Sequence, residues 1–483
     1  MFINKLGKEE IMCGIFGIFG HPNAKNIACK ASRSLKHRGK SAAGIACLDL
    51  KRREIQLYKD KGHVKKVLNP KSPQIQRLEG NVVIVHVRYP TTGADNLRNV
   101  QPHISSSIQG KIALSSNGDI VNLDSQKAFL EKETIRVYSD NDAELIAASF
   151  NWQVTIKGRN TIEAAKKVAK HVKGSYSCLM LTEFDCKLFA FRDPFGIRPL
   201  VYGKLDGFPV FASETCVLEN IGATYIRDVQ PGELFAISET SIETYQIAEC
   251  RKKAFCVFEL IYFARPDSKF EGESYQSIRK RMGAELAKEH PIKADMIIPV
   301  PKSGIPGAIG YAHVSGIPFD VGMIENPSPM INEDESEEID RTFIGSSKEQ
   351  RETESNEKYN IIADIVRGKK IVVVDDSIVR GLTMRKIIKK LRNAGTKEIH
   401  VRIPSPPIRF PCNLGIETKE KETLVAREGN LSLVRDRINH PDSLEYLSFE
   451  GMFKAIGRSS CNFCTACLDG NHPISLNGIC LSY

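Results

Sequence analysis

The sequence predicts a two-part fold, a strand-rich α+β half followed by an α/β half built on a parallel sheet. Three observations carry that expectation. At 483 residues the chain is longer than a single hydrophobic core usually serves. Between residues 80 and 250, short apolar runs such as Val82-Val83-Ile84-Val85 and Leu188-Phe189-Ala190-Phe191 alternate with turn signals, the pattern of packed strands. Beyond about 250 a helical stretch over Tyr275–Glu289, a strand at Met296–Val300 and a strand at Ile371–Val374 leading into a helix follow one another, which is the order of a parallel α/β sheet.

Composition narrows the class. Hydrophobic residues make up 41% and charged residues 26%, as in a globular enzyme, and no apolar stretch is long enough to span a bilayer. The first twelve residues carry Lys5, Lys8, Glu9 and Glu10 and lack the apolar core of an export signal, so a cytoplasmic protein is expected. The net charge of +10 is spread along the chain with no aromatic–basic module, which argues against nucleic acid and leaves small anions or solubility as its use. Thirteen cysteines, an odd number without regular spacing, read as thiols or metal ligands and not as a disulfide framework.

The run Cys13-Gly14-Ile15-Phe16-Gly17-Ile18-Phe19-Gly20 has an ordinary reading as a buried first strand. A second reading comes from Met12. If residues 1–12 are a leader that is removed or never translated, Cys13 becomes the N-terminus and carries thiol and α-amine together. An amine with an intrinsic pKa of about 7.7–8.0 suits a proton acceptor near neutrality.

Four further segments follow in order: Leu35-Lys36-His37-Arg38-Gly39, His86-Val87-Arg88-Tyr89-Pro90-Thr91-Thr92-Gly93, Asn117-Gly118 and Asp142-Ala143-Glu144-Leu145. Taken singly, Arg88 reads as a surface charge, Asn117-Gly118 as a hairpin turn and Asp142 as a helix N-cap. As an ordered set behind Cys13 they resemble the type II glutamine amidotransferases of the N-terminal-nucleophile fold, an αββα sandwich. The resemblance implies that Cys13 is the nucleophile and that Asn117 and Gly118 stabilise the oxyanion. It also implies that Arg88 holds the α-carboxylate of glutamine and Asp142 its α-ammonium, roles suited to a bidentate guanidinium and a carboxylate. Phe191–Leu200 and Ala212–Cys216 match the same domain, whose end is expected at 245–255.

In the second half, Ile371–Val374 runs into Asp375-Asp376-Ser377-Ile378-Val379-Arg380-Gly381-Leu382-Thr383. A buried strand that delivers two carboxylates to its C-terminal end, then a glycine loop opening a helix, is a way to hold a phosphate and a cation. The plain alternative is a solvated strand end. Ile387, Ile388 and Leu391 share one helix face, Gly395 ends the helix, and Ile399–Ile403 forms the next strand. This stretch resembles the phosphoribosyl pyrophosphate (PRPP) signature of type I phosphoribosyltransferases. The resemblance implies Asp375, Asp376 and Ser303 as the Mg²⁺ site, with Ser377, Arg380, Gly381 and Thr383 around the substrate.

Cys461-x-x-Cys464-x-x-Cys467 has metal-ligand spacing, for which zinc is the generic reading. Together with Cys256 and Cys412, the whole arrangement resembles the iron–sulfur branch of the glutamine PRPP amidotransferase family. That resemblance implies Cys256, Cys412, Cys464 and Cys467 as ligands of a 4Fe-4S cluster, with Cys461 a spare thiol. The cluster is then a structural, oxygen-sensitive clamp. The domains expected are a leader over 1–12, a glutaminase over 13–250, a phosphoribosyltransferase over 251–440 and a cluster-bearing tail over 441–483. The implied reaction makes 5-phosphoribosylamine from glutamine and PRPP, the first step of purine synthesis, with purine nucleotides as inhibitors and a homo-oligomer, a tetramer, as the assembly.

The chain also departs from the family pattern. Where a basic stretch is usual it reads Glu325-Asn326-Pro327-Ser328-Pro329-Met330, and six acids fall within residues 333–340. Lys302 stands where an acid is usual, and Leu382 where a threonine is. An acidic flap near pyrophosphate repels it, whereas a solvated surface loop does not. Two alternatives stay open at this point: a paralogue that keeps the Cys13 glutaminase but has altered or lost PRPP transfer, and a PRPP- or nucleotide-sensing regulator.

Overall fold

The structure, a computed structural model, describes residues 12–89, 96–250, 252–326, 358–416, 418 and 420–474. The residues before Met12, Pro90 to Gly93 and the acidic run at 333–340 lie outside these.

Two sheets stack face to face in the first half. A seven-stranded sheet has Gly14–Phe19 near its centre, antiparallel to Val82–Arg88 on one side and Phe208–Ala212 on the other. The second, six-stranded sheet centres on Gly110–Ile120, Gly174–Thr182 and Lys187–Arg192. The alternation in the first strand explains its composition. Ile15 and Phe19 point between the sheets, where they join Leu179, Leu181, Phe211 and Phe235. Phe16 and Ile18 point outward onto a layer that contains Ala28, Ala31, Val217 and Leu218, from helices Ala24–Ser34 and Thr215–Ile221. Both faces of the strand are therefore buried, each large side chain contributing roughly 1.5–3 kcal/mol. Helices Asp142–Thr155 and Thr161–His171 cover the outer face of the second sheet, completing the αββα sandwich.

The second half is a four-stranded parallel sheet in the order Met296–Pro299, Lys370–Val374, Glu398–Ile403, Ser443–Tyr446. Ile371 and Val373 pack with Ile387, Ile388 and Leu391 of helix Leu382–Asn393. Val372 and Val374 face a layer that includes Ile278, Met282, Ala308 and Tyr311, from helices Tyr275–Glu289 and Ile305–Ser315. Those two helices touch backbone to backbone, since a Cβ on Gly310 would lie 1.8 Å from the Lys280 carbonyl oxygen.

Three local features differ from what these residues suggest when taken singly. Asn117-Gly118 lies inside the strand Gly110–Ile120 and not in a hairpin turn. The N-cap of helix Asp142–Thr155 is Asn141, whose side chain accepts from the Ala143 N–H, so Asp142 is the first helical residue. Arg88 is buried at 2% exposure, not a surface charge.

A buried ion cluster joins the halves. Arg38 Nη1 donates to Glu214 at 2.5 Å and to Glu259 at 3.0 Å, while its Nη2 donates to Glu259 at 2.5 Å. Arg38 is 1% exposed, Glu214 3% and Glu259 0%. Burial would raise the Glu214 carboxyl, but His37 and Arg38 hold it well below the usual carboxylate range. Removing one member strands a buried charge. Arg38→Met should therefore lower unfolding stability by about 3–5 kcal/mol in a urea titration. Because the Glu214 pKa is depressed, its share of the stability should be complete at neutral pH and be lost only on acidification below the ordinary carboxylate range.

Candidate active site

Cys13 sits immediately before the central strand of the first sheet, half-buried, and its carbonyl oxygen accepts from Arg38 Nε at 3.1 Å. The Sγ lies 3.8 Å from the Tyr89 carbonyl oxygen. Burial pushes the thiol up to about 11, with the Arg88 cation lowering it and the Asp142 carboxylate raising it. Among the described residues no histidine or carboxylate is hydrogen-bonded to this sulfur. A thiol held at that value needs a proton acceptor to react at neutral pH. Met12, just upstream, is 1% exposed, and its Sδ accepts from Arg198 Nη1 at 2.9 Å.

The other residues of the first site converge from the two sheets. Arg88 closes the strand Val82–Arg88 beside the one that Cys13 precedes. Asp142 Oδ2 accepts from Ser116 Oγ at 3.2 Å, and Oδ1 from the Ala143 N–H at 2.9 Å. Burial and neighbouring Asp119 raise the Asp142 carboxyl to about 7. Asn117 follows Ser116 in the same strand, and its side-chain Nδ2 is buried without a hydrogen-bond partner among the described residues. An unsatisfied buried amide donor costs about 1–3 kcal/mol, so a ligand oxygen that takes this bond gains from it. Gly118 admits no other residue: a Cβ there would lie 1.9 Å from the Ser175 carbonyl oxygen.

The sequence reading assigned no role to Arg38, Glu214, Glu259 or His86. His37-Arg38-Gly39 was visible as a motif, but the acids that grip Arg38 lie 176 and 221 residues further on, with no local signal. His86 is fully buried beside the Ser116 backbone, and burial, with the nearby Arg88 charge, lowers it to about 3, so its ring is neutral.

At the second site, the two parallel strands Met296–Pro299 and Lys370–Val374 lie side by side, and the chain after each carries the polar groups. Ser303 Oγ donates to Asp375 Oδ1 at 3.3 Å, Ser377 Oγ to Asp376 Oδ2 at 2.7 Å, and Ser405 Oγ to the Asp376 carbonyl at 2.9 Å. Asp375 and Asp376 are each 7% exposed, and burial together with the charge of Asp376 raises Asp375 well above its ordinary value. Gly381 adopts φ +79° and opens helix Leu382–Asn393, with Thr383 in its exposed first turn and Arg380 half-buried before it. Ser303, Gly307 and Asp376 also border a small crevice with Ile261, Arg279, Met282 and Pro404. Lys302 projects into solvent, its Nζ 4.0 Å from Glu325.

Strand Phe255–Cys256 pairs in parallel with Phe463–Cys464, putting Cys256 opposite Cys464. The Cys467 carbonyl accepts from the Arg409 and Phe410 N–H groups at 2.9 and 3.1 Å, which draws the Cys412 segment alongside. All four cysteines are buried, and burial together with one another raises the thiols of Cys256, Cys464 and Cys467. Arg198, fully buried, lies within the field of Cys256, Cys412 and Cys464. Cys461 stands outside, exposed, with Ser459 as its neighbour. Among the described residues no three His, Cys, Asp or Glu side chains are placed to grip one metal ion. A cluster that takes one thiolate on each of four irons asks for a wider set than a single ion does, and four mutually interacting buried thiols beside a cation fit it. Two adjacent carboxylates and a hydroxyl likewise fit Mg²⁺, which takes one or two protein carboxylates and completes its shell with water and ligand phosphates.

A cleft lined by Arg192, Asp228, Phe255, Tyr275 and Arg458, among others, contains none of the predicted site residues.

Comparison with known proteins gives two domain matches: a glutamine amidotransferase domain over residues 86–220 and a phosphoribosyl transferase domain over 272–404. The amidophosphoribosyltransferase of Synechococcus elongatus is 39% identical over 474 residues, 97% of this chain and 92% of the relative. That of Archaeoglobus fulgidus is 40% identical over 472 residues, covering 97% and 99%. A solved structure of glutamine PRPP amidotransferase from B. subtilis, complexed with ADP and GMP, superposes with a TM-score of 0.86 at 36% identity, over 96% of this chain and 98% of that one.

Proposed function

We propose that this chain, which belongs to the amidophosphoribosyltransferase family and is an enzyme of that activity, divides the reaction between its two halves through the residues described above. Loss of the peptide bond between Met12 and Cys13 frees an α-amine at Cys13. The amine takes the thiol proton, and the sulfur attacks the side-chain amide carbon of glutamine. Asn117 Nδ2 and the Gly118 N–H stabilise the resulting oxyanion, each such donor contributing about 3 kcal/mol to lowering the barrier. The protonated amine returns its proton to the departing ammonia, leaving a γ-glutamyl thioester that water hydrolyses to glutamate. Arg88 holds the α-carboxylate of glutamine and Asp142 its α-ammonium. The unpartnered buried amide of Asn117, one residue from the Ser116 that holds Asp142, is the observation that best supports this reading.

In the second half Ser303, Asp375 and Asp376 would hold Mg²⁺, which neutralises charge on the diphosphate of PRPP. Ser377, Arg380, Gly381, Thr383 and the free N–H groups of the helix start bind the 5-phosphate. Ammonia delivered from the first half displaces diphosphate at the anomeric carbon and gives 5-phosphoribosylamine. Purine nucleotides act as inhibitors, the assembly is a homo-oligomer, and the protein works in the cytoplasm. No helix among the described residues is long and apolar enough to cross a membrane.

The decisive experiment measures diphosphate release from PRPP with glutamine and with ammonia, beside the intact mass of the purified chain. Cys13→Ala should abolish the glutamine-dependent reaction and spare the ammonia-dependent one. Release with neither nitrogen source overturns the transfer reading, and full glutamine turnover by a chain that retains Met12 overturns the role of the amine.

Asp142 supplies a pH signature. With its carboxyl raised to about 7, acidification through that value neutralises the group that attracts the α-ammonium. For glutamine, kcat/KM should therefore fall below about pH 7 through a rise in KM. Asp142→Asn should raise KM at all pH values and remove this limb of the profile.

Cys256, Cys412, Cys464 and Cys467 would hold a 4Fe-4S cluster that ties the domain junction to the tail. The buried Arg198 beside them supports an anionic centre there. Protein purified without oxygen should carry about four irons and four acid-labile sulfides per chain. Zinc alone overturns this assignment.

A further inference from the structure

The segment after Cys412 belongs to the second half by sequence, yet it presses on the strand that carries Asn117 and Gly118. Ser175 Oγ donates to the Leu414 carbonyl at 2.8 Å and accepts from the Asp119 N–H at 3.2 Å, so one buried hydroxyl joins Leu414 to the residue that follows Gly118. Arg198 Nη2 also donates to the Leu414 carbonyl, and the Arg198 carbonyl accepts from Ser177 Oγ at 3.0 Å. Ser175 and Ser177 lie opposite Asp119 and Asn117 in the sheet register. Gly415 completes the contact with φ +101°; a Cβ on it would fall 2.9 Å from Arg198 Nη2 and 3.2 Å from the Gly118 carbonyl carbon. The Gly118 backbone is thus gripped from both sides, by Ser175 within its own sheet and by Leu414-Gly415 from the other half.

A hydrogen-bond donor aimed at an oxyanion acts only if it is held in place before the charge develops, and a shift of under an ångström lowers its effect. Gly118 has no side chain with which to anchor itself. We propose that Ser175 and the Leu414-Gly415 turn are positioning elements for the oxyanion site, so that the second half sets the glutaminase turnover rate without touching glutamine. This rests on the functional reading above, since it assumes that Asn117 and Gly118 face the oxyanion. Residues that act only on the tetrahedral species should alter kcat and leave ground-state binding alone.

Ser175→Ala and Gly415→Ala test this from the two sides of the contact. Each should lower kcat for glutamine hydrolysis by about tenfold or more, with KM for glutamine and ammonia-dependent diphosphate release staying within about twofold. An aldehyde analogue of glutamine, which forms a tetrahedral adduct on the thiol, should bind more weakly in proportion to the loss of kcat, whereas inhibition by glutamate should not change. The proposal is overturned if Ser175→Ala keeps the kcat of the unaltered chain, whatever Gly415→Ala does, or if aldehyde and glutamate affinities fall together. Failure of the functional reading would look different, because the unaltered chain would then turn over no glutamine at all.

Discussion

One guanidinium, fully removed from water, holds this molecule in register. Arg38 is gripped by Glu214 from its own half and by Glu259 from the other, and its Nε–H is spent on the carbonyl of Cys13. Two carboxylates around one cation, all buried, are tolerable only at close to ideal geometry. The requirement fixes three things relative to one another: the backbone of Cys13, the N-cap residue Glu214 of helix Thr215–Ile221, and the π-helical turn Glu259–Phe263. Glu214 has a second oxygen, and this accepts from the Arg265 N–H and the Ser268 hydroxyl, so the junction is cross-linked at more than one point. From the far side Arg279 holds the same turn through the carbonyls of Glu259, Leu260 and Ala264.

Both chemical sites are built on this frame in the same way, at the ends of buried strands. Strand interiors are dictated by packing, which leaves their ends to carry polar groups toward a ligand. Gly14–Phe19 and Lys370–Val374 are each buried on both faces, and Cys13 and the Asp375-Asp376 pair stand just beyond one end of each. The cost of such placement appears in the protonation behaviour. Burial raises Cys13, Asp142 and Asp375, so each waits for a partner of opposite charge or a proton acceptor.

Much of this was legible in the sequence, and what was legible was local. The alternation of Ile15 and Phe19 against Phe16 and Ile18 announces a strand buried on two faces, and Ile387, Ile388 and Leu391 announce a helix on a sheet. What could not be read is contact between distant segments. Glu259 meets Arg38 across 221 positions, and Ser175 meets Leu414 across 239. Neither pair has a periodicity or composition that points to the other. Asp142 shows a subtler limit: two adjacent residues, Asn141 and Asp142, can each cap a helix, and only the packing of the turn decides that Asn141 does so. The π-helical turn was likewise invisible, because its sequence, Glu-Leu-Ile-Tyr-Phe, suits a strand or a helix equally well.

Met12 carries a consequence for the life history of the polypeptide. Its side chain is enclosed in a core shared with Val257, Phe258 and Leu260, so an external peptidase would have to draw Met12 out of that core to reach the bond to Cys13. If Cys13 acts as proposed, through a freed α-amine, trimming then comes early, on the nascent chain before closure, or from within, by the residue it liberates. On that proposal, a polypeptide that closes untrimmed would be trapped as a folded zymogen, complete in every described strand and inert toward its amide donor.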